Sequence, residues 1–101
     1  MDTVRSLKKD WVLSEEAFNL LLRQLDADRQ CAGEKYEHLR RSLIKFFAWR
    51  GSRRPDADAD EAIDRVARKL SEGERVQEIY SYTNGVARLV LLETLRDQER
   101  E

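Results

Sequence analysis

The sequence predicts an all-α fold, a compact bundle of about four helices, and three observations carry that expectation. Only four Gly and one Pro interrupt 101 residues, and the stretches between them are rich in Leu, Ala, Arg, Glu and Lys, the good helix formers. Apolar residues recur at three- and four-residue spacing in four separate stretches, where a half-buried strand would alternate them. Hydrophobic residues make up 41% of the chain and charged residues 39%. That mixture is apolar enough to bury one core and too polar for a membrane-embedded chain.

The first helix is expected from about Ser14 to Leu25. Ser14 is an N-cap residue type followed by Glu15 and Glu16, and Phe18, Leu21, Leu22 and Leu25 then form a stripe. A second stripe runs through Tyr36, Leu39, Leu43, Phe46 and Phe47, with Cys31 near the helix start and Gly51 as its stop. Pro55 and the acids after it suit the first turn of a third helix, whose apolar face is Ala59, Ala62, Ile63, Val66, Ala67 and Leu70. Ser71 to Glu74 reads as a loop. Beyond it, Ile79, Tyr82, Val86, Leu89, Val90, Leu92 and Leu95 make the broadest apolar face, which marks the fourth helix as the expected centre of the bundle. The resulting division is an N-terminal extension over 1–12, one helical domain over 13–96 and a polar tail over 97–101 that is expected to fray.

The net charge of −1 hides a segregation along the chain. Arg40, Arg41, Lys45, Arg50, Arg53 and Arg54 come without an intervening acid, and Asp56, Asp58, Asp60, Glu61 and Asp64 follow. Arg40, Arg41, Arg50, Arg53 and Arg54 are candidate phosphate contacts, the plainer alternative being a solvated outer helix face. Cys31 is the lone cysteine, which excludes an intramolecular disulfide and a cysteine-held zinc and fits a reducing, cytoplasmic setting. The first residues lack the apolar core of a secretory signal, and no apolar run approaches the ~20 residues that span a bilayer. No membrane partner is expected.

A catalytic constellation is not evident: one His, one Cys and no Gly-rich phosphate loop. His38 is expected on the solvated side of the second helix. Cys31, near the start of that helix, is expected to be a small half-buried side chain, with a depressed pKa as the sharper alternative. Asp56, Asp58, Asp60 and Asp64 alternate as in calcium loops, yet the Gly and closing Glu of such a loop are missing. A capped, solvated helix start explains them better, with a surface for a basic partner as the second possibility. The expectation is a binding protein with no metal and no cofactor, and not an enzyme.

Two stretches point to a family. Pro55-Asp56-Ala57-Asp58-Ala59-Asp60-Glu61-Ala62-Ile63-Asp64-Arg65-Val66-Ala67 resembles the polymerase-binding helix of bacterial sigma factors of the extracytoplasmic-function type, in the sigma-70 family. Ile79-Tyr80-Ser81-Tyr82-Thr83-Asn84-Gly85-Val86-Ala87-Arg88 resembles the promoter-melting segment that follows it, and the Tyr36 to Gly51 helix is similar to the first conserved helix of the same domain. The resemblance spans roughly Leu13 to Arg96 and covers domain 2 of such factors, without the second domain that reads the −35 element. It implies docking on core RNA polymerase through Asp60, Glu61, Asp64 and Arg65. It further implies capture of the −10 promoter element as single-stranded DNA near Tyr80, Tyr82, Asn84 and Arg88. Aromatic rings would supply stacking worth ~1–3 kcal/mol per base, and an amide would read a base edge. The alternative is a helical interaction module that has lost DNA reading and forms a homodimer through the C-terminal helix, using Val90, Leu91 and Leu92.

Overall fold

A computed structural model describes residues 14–100, and within them the chain forms four helices. The expected N-terminal extension lies outside the described residues. Helix α1 spans Glu15–Leu25. Ser14 caps it, its hydroxyl accepting from the Ala17 amide at 3.0 Å, and the two glutamates of the first turn complement the helix dipole. Helix α2 spans Arg29–Trp49 and starts well before the Tyr36 stripe. Asp28 is the reason: its carboxylate accepts from the amides of Gln30 and Cys31 at 2.9 and 3.1 Å. Asp26 in turn accepts from the Asp28 amide at 2.8 Å and pairs with Lys35 at 2.9 Å, tying the turn to the helix it starts.

Gly51 ends α2 in the left-handed region, φ 97°, which a residue without Cβ adopts freely, and the Ser52 amide reaches back to the Phe47 carbonyl at 3.0 Å. Helix α3, Pro55–Ser71, follows at once. Pro sits in its first turn, where the missing N–H is no loss. Ser52 braces that turn, donating to Asp58 at 2.6 Å and accepting from the Arg54 amide at 3.0 Å. Gly73, at φ 94°, closes α3 in the same manner as Gly51. Helix α4 spans Ile79–Arg100, and Glu78 caps it by accepting from the Ser81 amide at 2.9 Å.

The centre of the bundle is α3 and not α4. Helix α3 packs on all three other helices, burying Asp58, Ala59, Ala62, Ile63, Val66, Ala67 and Leu70. At 100° per residue these seven positions cover an arc of roughly 180°, and the alanines among them let neighbouring backbones approach closely. Helix α4 buries only Ile79, Thr83, Ala87 and Val90, an arc of roughly 80°. Tyr82, Val86 and Leu91 pack half-buried at the edge of the core, and Leu89 and Leu92 are left outside, each 57% exposed. Wholly buried Phe47, with Leu21, Ile63 and Val66, anchors the core, and Phe46 meets Phe47 edge to face at 5.1 Å.

Asp97 to Arg100 of the expected polar tail continue α4 as helix. Gln98 holds that last stretch, donating to the Gly51 carbonyl at 3.0 Å and accepting from the Arg53 amide at 2.9 Å. Among the described residues no helix is long and apolar enough to cross a membrane.

Candidate functional site

The acidic edge comes from the side of α3 that the core leaves over. Asp60, Glu61, Asp64 and Arg65 lie at wheel positions outside the buried arc. Each end of this edge is tied to a neighbouring helix. Arg40 of α2 meets Asp60 in a two-pronged pair, Nε to Oδ1 at 2.8 Å and Nη2 to Oδ2 at 3.0 Å. Arg65 donates to Glu61 at 2.7 Å and, through both terminal nitrogens, to Glu93 of α4 at 3.0 and 2.6 Å.

These contacts set the charge states along the edge. The Arg65 hydrogen bonds hold the Glu93 carboxyl below its ordinary range, whereas partial burial, with Glu61 and Asp60 adding repulsion, pushes Asp64 up. The edge therefore presents an exposed Glu61 paired with the Arg65 guanidinium, beside a half-buried Asp64 whose charge burial disfavours. Arg40, a candidate phosphate contact from the basic run, has its fork occupied by Asp60.

The α4 residues divide between two flanks. Tyr80, Asn84 and Arg88 are all exposed and, spaced by four, occupy an arc of roughly 80°. Tyr82 lies roughly 160° from Tyr80 around the same helix, packed half-buried against the core, where burial raises its phenol. Glu93 shares the Tyr82 flank, so the Tyr80 row and the ion pair to α3 face opposite ways. Val90 is 2% exposed and belongs to the core, which removes it from any dimer surface.

The row faces α2. Lys35 lies within electrostatic reach of the Tyr80 hydroxyl at one end, and at the other an open depression is lined by Phe46, Arg50, Arg88, Leu91 and Leu92. Arg50 lies over the Phe46 ring, 4.3 Å from its centroid, and donates to the Phe46 carbonyl at 3.3 Å. Arg53 and Arg54 sit elsewhere, in a depression shared with Asp58 and Asp97. Arg41 and Lys45 are exposed on the outer side of α2, as is His38.

Cys31 is exposed and not half-buried, and Asp28 raises its thiol, since the carboxylate that caps α2 repels a thiolate more than the helix start favours one. The alternating aspartates do not converge: Asp58 turns to Ser52 and Asp60 to Arg40, and no group of three or more His, Cys, Asp or Glu gathers among the described residues. No family model, curated protein or solved structure matches the chain.

Proposed function

We propose that this chain is a sigma-factor-like domain 2 that binds core RNA polymerase through the α3 edge and holds unpaired promoter DNA against α4, acting in transcription initiation or its regulation in the cytoplasm. The observation that carries this reading is the row Tyr80, Asn84 and Arg88. An aromatic ring, a side-chain amide and a guanidinium are all exposed along one flank of one helix. That sequence of groups suits a strand laid along the helix, with a base stacked on the ring, an edge hydrogen-bonded to the amide and a phosphate held by the arginine. The α3 edge supports the polymerase half of the reading, because Glu61 and Asp64 offer carboxylates to a basic surface, while Arg65, bonded to Glu61 and Glu93, fixes the edge in place.

Two measurements test it. Purified protein should retain core polymerase in a pull-down, and the double substitution Asp60→Lys with Arg65→Glu should abolish the retention. An oligonucleotide carrying a −10-like sequence should bind as a single strand with affinity that falls as salt rises. Retention that survives the double substitution would end the polymerase reading.

The exposed Leu89 and Leu92 favour a second reading, a homodimer formed through α4. Light scattering on a sizing column separates the two. A mass that rises with concentration, and that Leu92→Glu returns to the monomer value, supports the dimer.

A further inference from the structure

The most exposed large apolar side chain among the described residues is Trp49, at 86%. It occupies the last turn of α2 next to Arg50, at a wheel position roughly 60° from Phe46 and roughly 20° from the outward-facing His38, so it stands at the outer rim of the groove toward α4. A tryptophan left in water forgoes the largest apolar burial of any side chain. At its side, Arg50 lies over the Phe46 ring and donates to the Phe46 carbonyl, which orders the guanidinium before any ligand arrives. Across the groove stands Arg88, the last residue of the α4 row, with Leu91 and Leu92 as apolar lining of the same depression.

Acids lie beside several other cations of the basic run. Arg40 is engaged with Asp60, and Arg53 and Arg54 share their depression with Asp58 and Asp97. Arg50 and Arg88 line a depression whose other walls are Phe46, Leu91 and Leu92, without a carboxylate. We propose that this end of the α2–α4 groove is a second contact site for single-stranded nucleic acid, in which Trp49 stacks on an unpaired base while Arg50 and Arg88 hold the flanking phosphates. The site extends the α4 row proposed above, and so rests on that reading. Two like charges bordering an apolar lining attract a polyanion, and the ring beside them selects one with flat faces to offer; an acidic peptide meets the first requirement and lacks the second.

The test uses the full chain carrying Trp11→Phe, which leaves Trp49 as the single tryptophan of the two present. Its fluorescence is followed during titration with a single-stranded DNA of about twelve nucleotides, within the length one small binding fold covers. The expected result is saturable quenching, an affinity about tenfold weaker for Trp49→Ala followed by a labelled strand, and a salt slope reduced by about 0.7 for Arg50→Ala. Circular dichroism should be unchanged for both variants, because both side chains lie outside the core. Tyr80→Ala should weaken binding while leaving the quenching at saturation intact. Binding that Tyr80→Ala weakens but that neither quenches Trp49 nor responds to Trp49→Ala overturns the second site and leaves the α4 row standing. Absence of binding by either measure overturns both. Equal quenching by the corresponding duplex overturns stacking on an unpaired base, and quenching by polyglutamate but not by the DNA reassigns the site to an acidic peptide and overturns the proposal.

Discussion

Arg65 and Glu93 join the middle of α3 to the second half of α4 by two parallel hydrogen bonds, Nη1 to Oε2 at 3.0 Å and Nη2 to Oε1 at 2.6 Å. The same guanidinium spends its Nε on Glu61. A planar fork that satisfies two carboxylates at once orients both helices, and it also holds one residue of the proposed polymerase edge inside the domain.

The first prediction concerns pH. Glu93 has its folded-state pKa depressed below the ordinary glutamate value, first through the Arg65 hydrogen bonds. For a depressed acid the stabilisation is present above the unfolded pKa and is lost as pH falls through the folded one. Denaturant unfolding of the wild type should therefore show stability declining as pH drops below about 4.5. Glu93→Gln should flatten part of that decline and cost no more than about 1 kcal/mol at neutral pH, since both partners are substantially exposed. An unchanged pH profile in the variant would show that the pair does not order the helices.

Arg40 offers a sharper contrast. Its fork is occupied by Asp60, so Arg40→Ala should leave the salt dependence of oligonucleotide binding unchanged, while Arg88→Ala should reduce the slope by about 0.7. The same Arg40→Ala frees the Asp60 carboxylate, and retention of core polymerase should be equal or stronger. Filter binding across a salt series, with the pull-down beside it, reads both effects.

Much of this arrangement is written in local signals, and the remainder is not. Ser14 with its two glutamates, and Pro55 with its aspartates, start α1 and α3 where short-range chemistry expects a start. The start of α2 is hidden because residues 29–35 carry no large apolar side chain, and the cap depends on Asp28, itself held by Asp26 and Lys35. The central place of α3 is hidden for a related reason. Alanine contributes little to an apolar stripe, yet its small size is what lets three helices crowd around one axis. The pairs Arg40–Asp60 and Arg65–Glu93 join residues 20 and 28 positions apart, a pairing that only the folded chain specifies. Tyr80 and Tyr82 are a different case: at 100° per residue two positions differ by 200°, so their separation onto opposite flanks follows from the helix once α4 is granted.

That separation makes the two tyrosines distinguishable by experiment. Tyr80→Ala should weaken single-strand binding with little change in thermal midpoint, since the ring is 40% exposed. Tyr82→Ala should act in the opposite sense, lowering stability by about 1–3 kcal/mol through lost packing against the core, with binding by the remaining folded fraction unaltered. Tyr82→Phe should restore nearly all of that stability. Thermal melts paired with oligonucleotide titrations decide the matter, and a binding defect in Tyr82→Phe would place its hydroxyl at the ligand.

Gln98 carries the last prediction. Its amide donates to the Gly51 carbonyl and accepts from the Arg53 amide, so one side chain on the final turns of α4 closes the corner between α2 and α3. Gln98→Ala removes both bonds and leaves two backbone groups to solvent, which should cost about 1 kcal/mol, because water replaces much of what is lost at an exposed corner. The local effect should be larger than the global one. Without the clamp, the polar residues from Asp97 to Arg100 keep only helix propensity and the dipole to hold them, and amide exchange there should rise severalfold while exchange at Ala87 and Val90 stays near the wild-type rate. Equal acceleration at Val90 would instead mean that the corner and the core of α4 open as one unit.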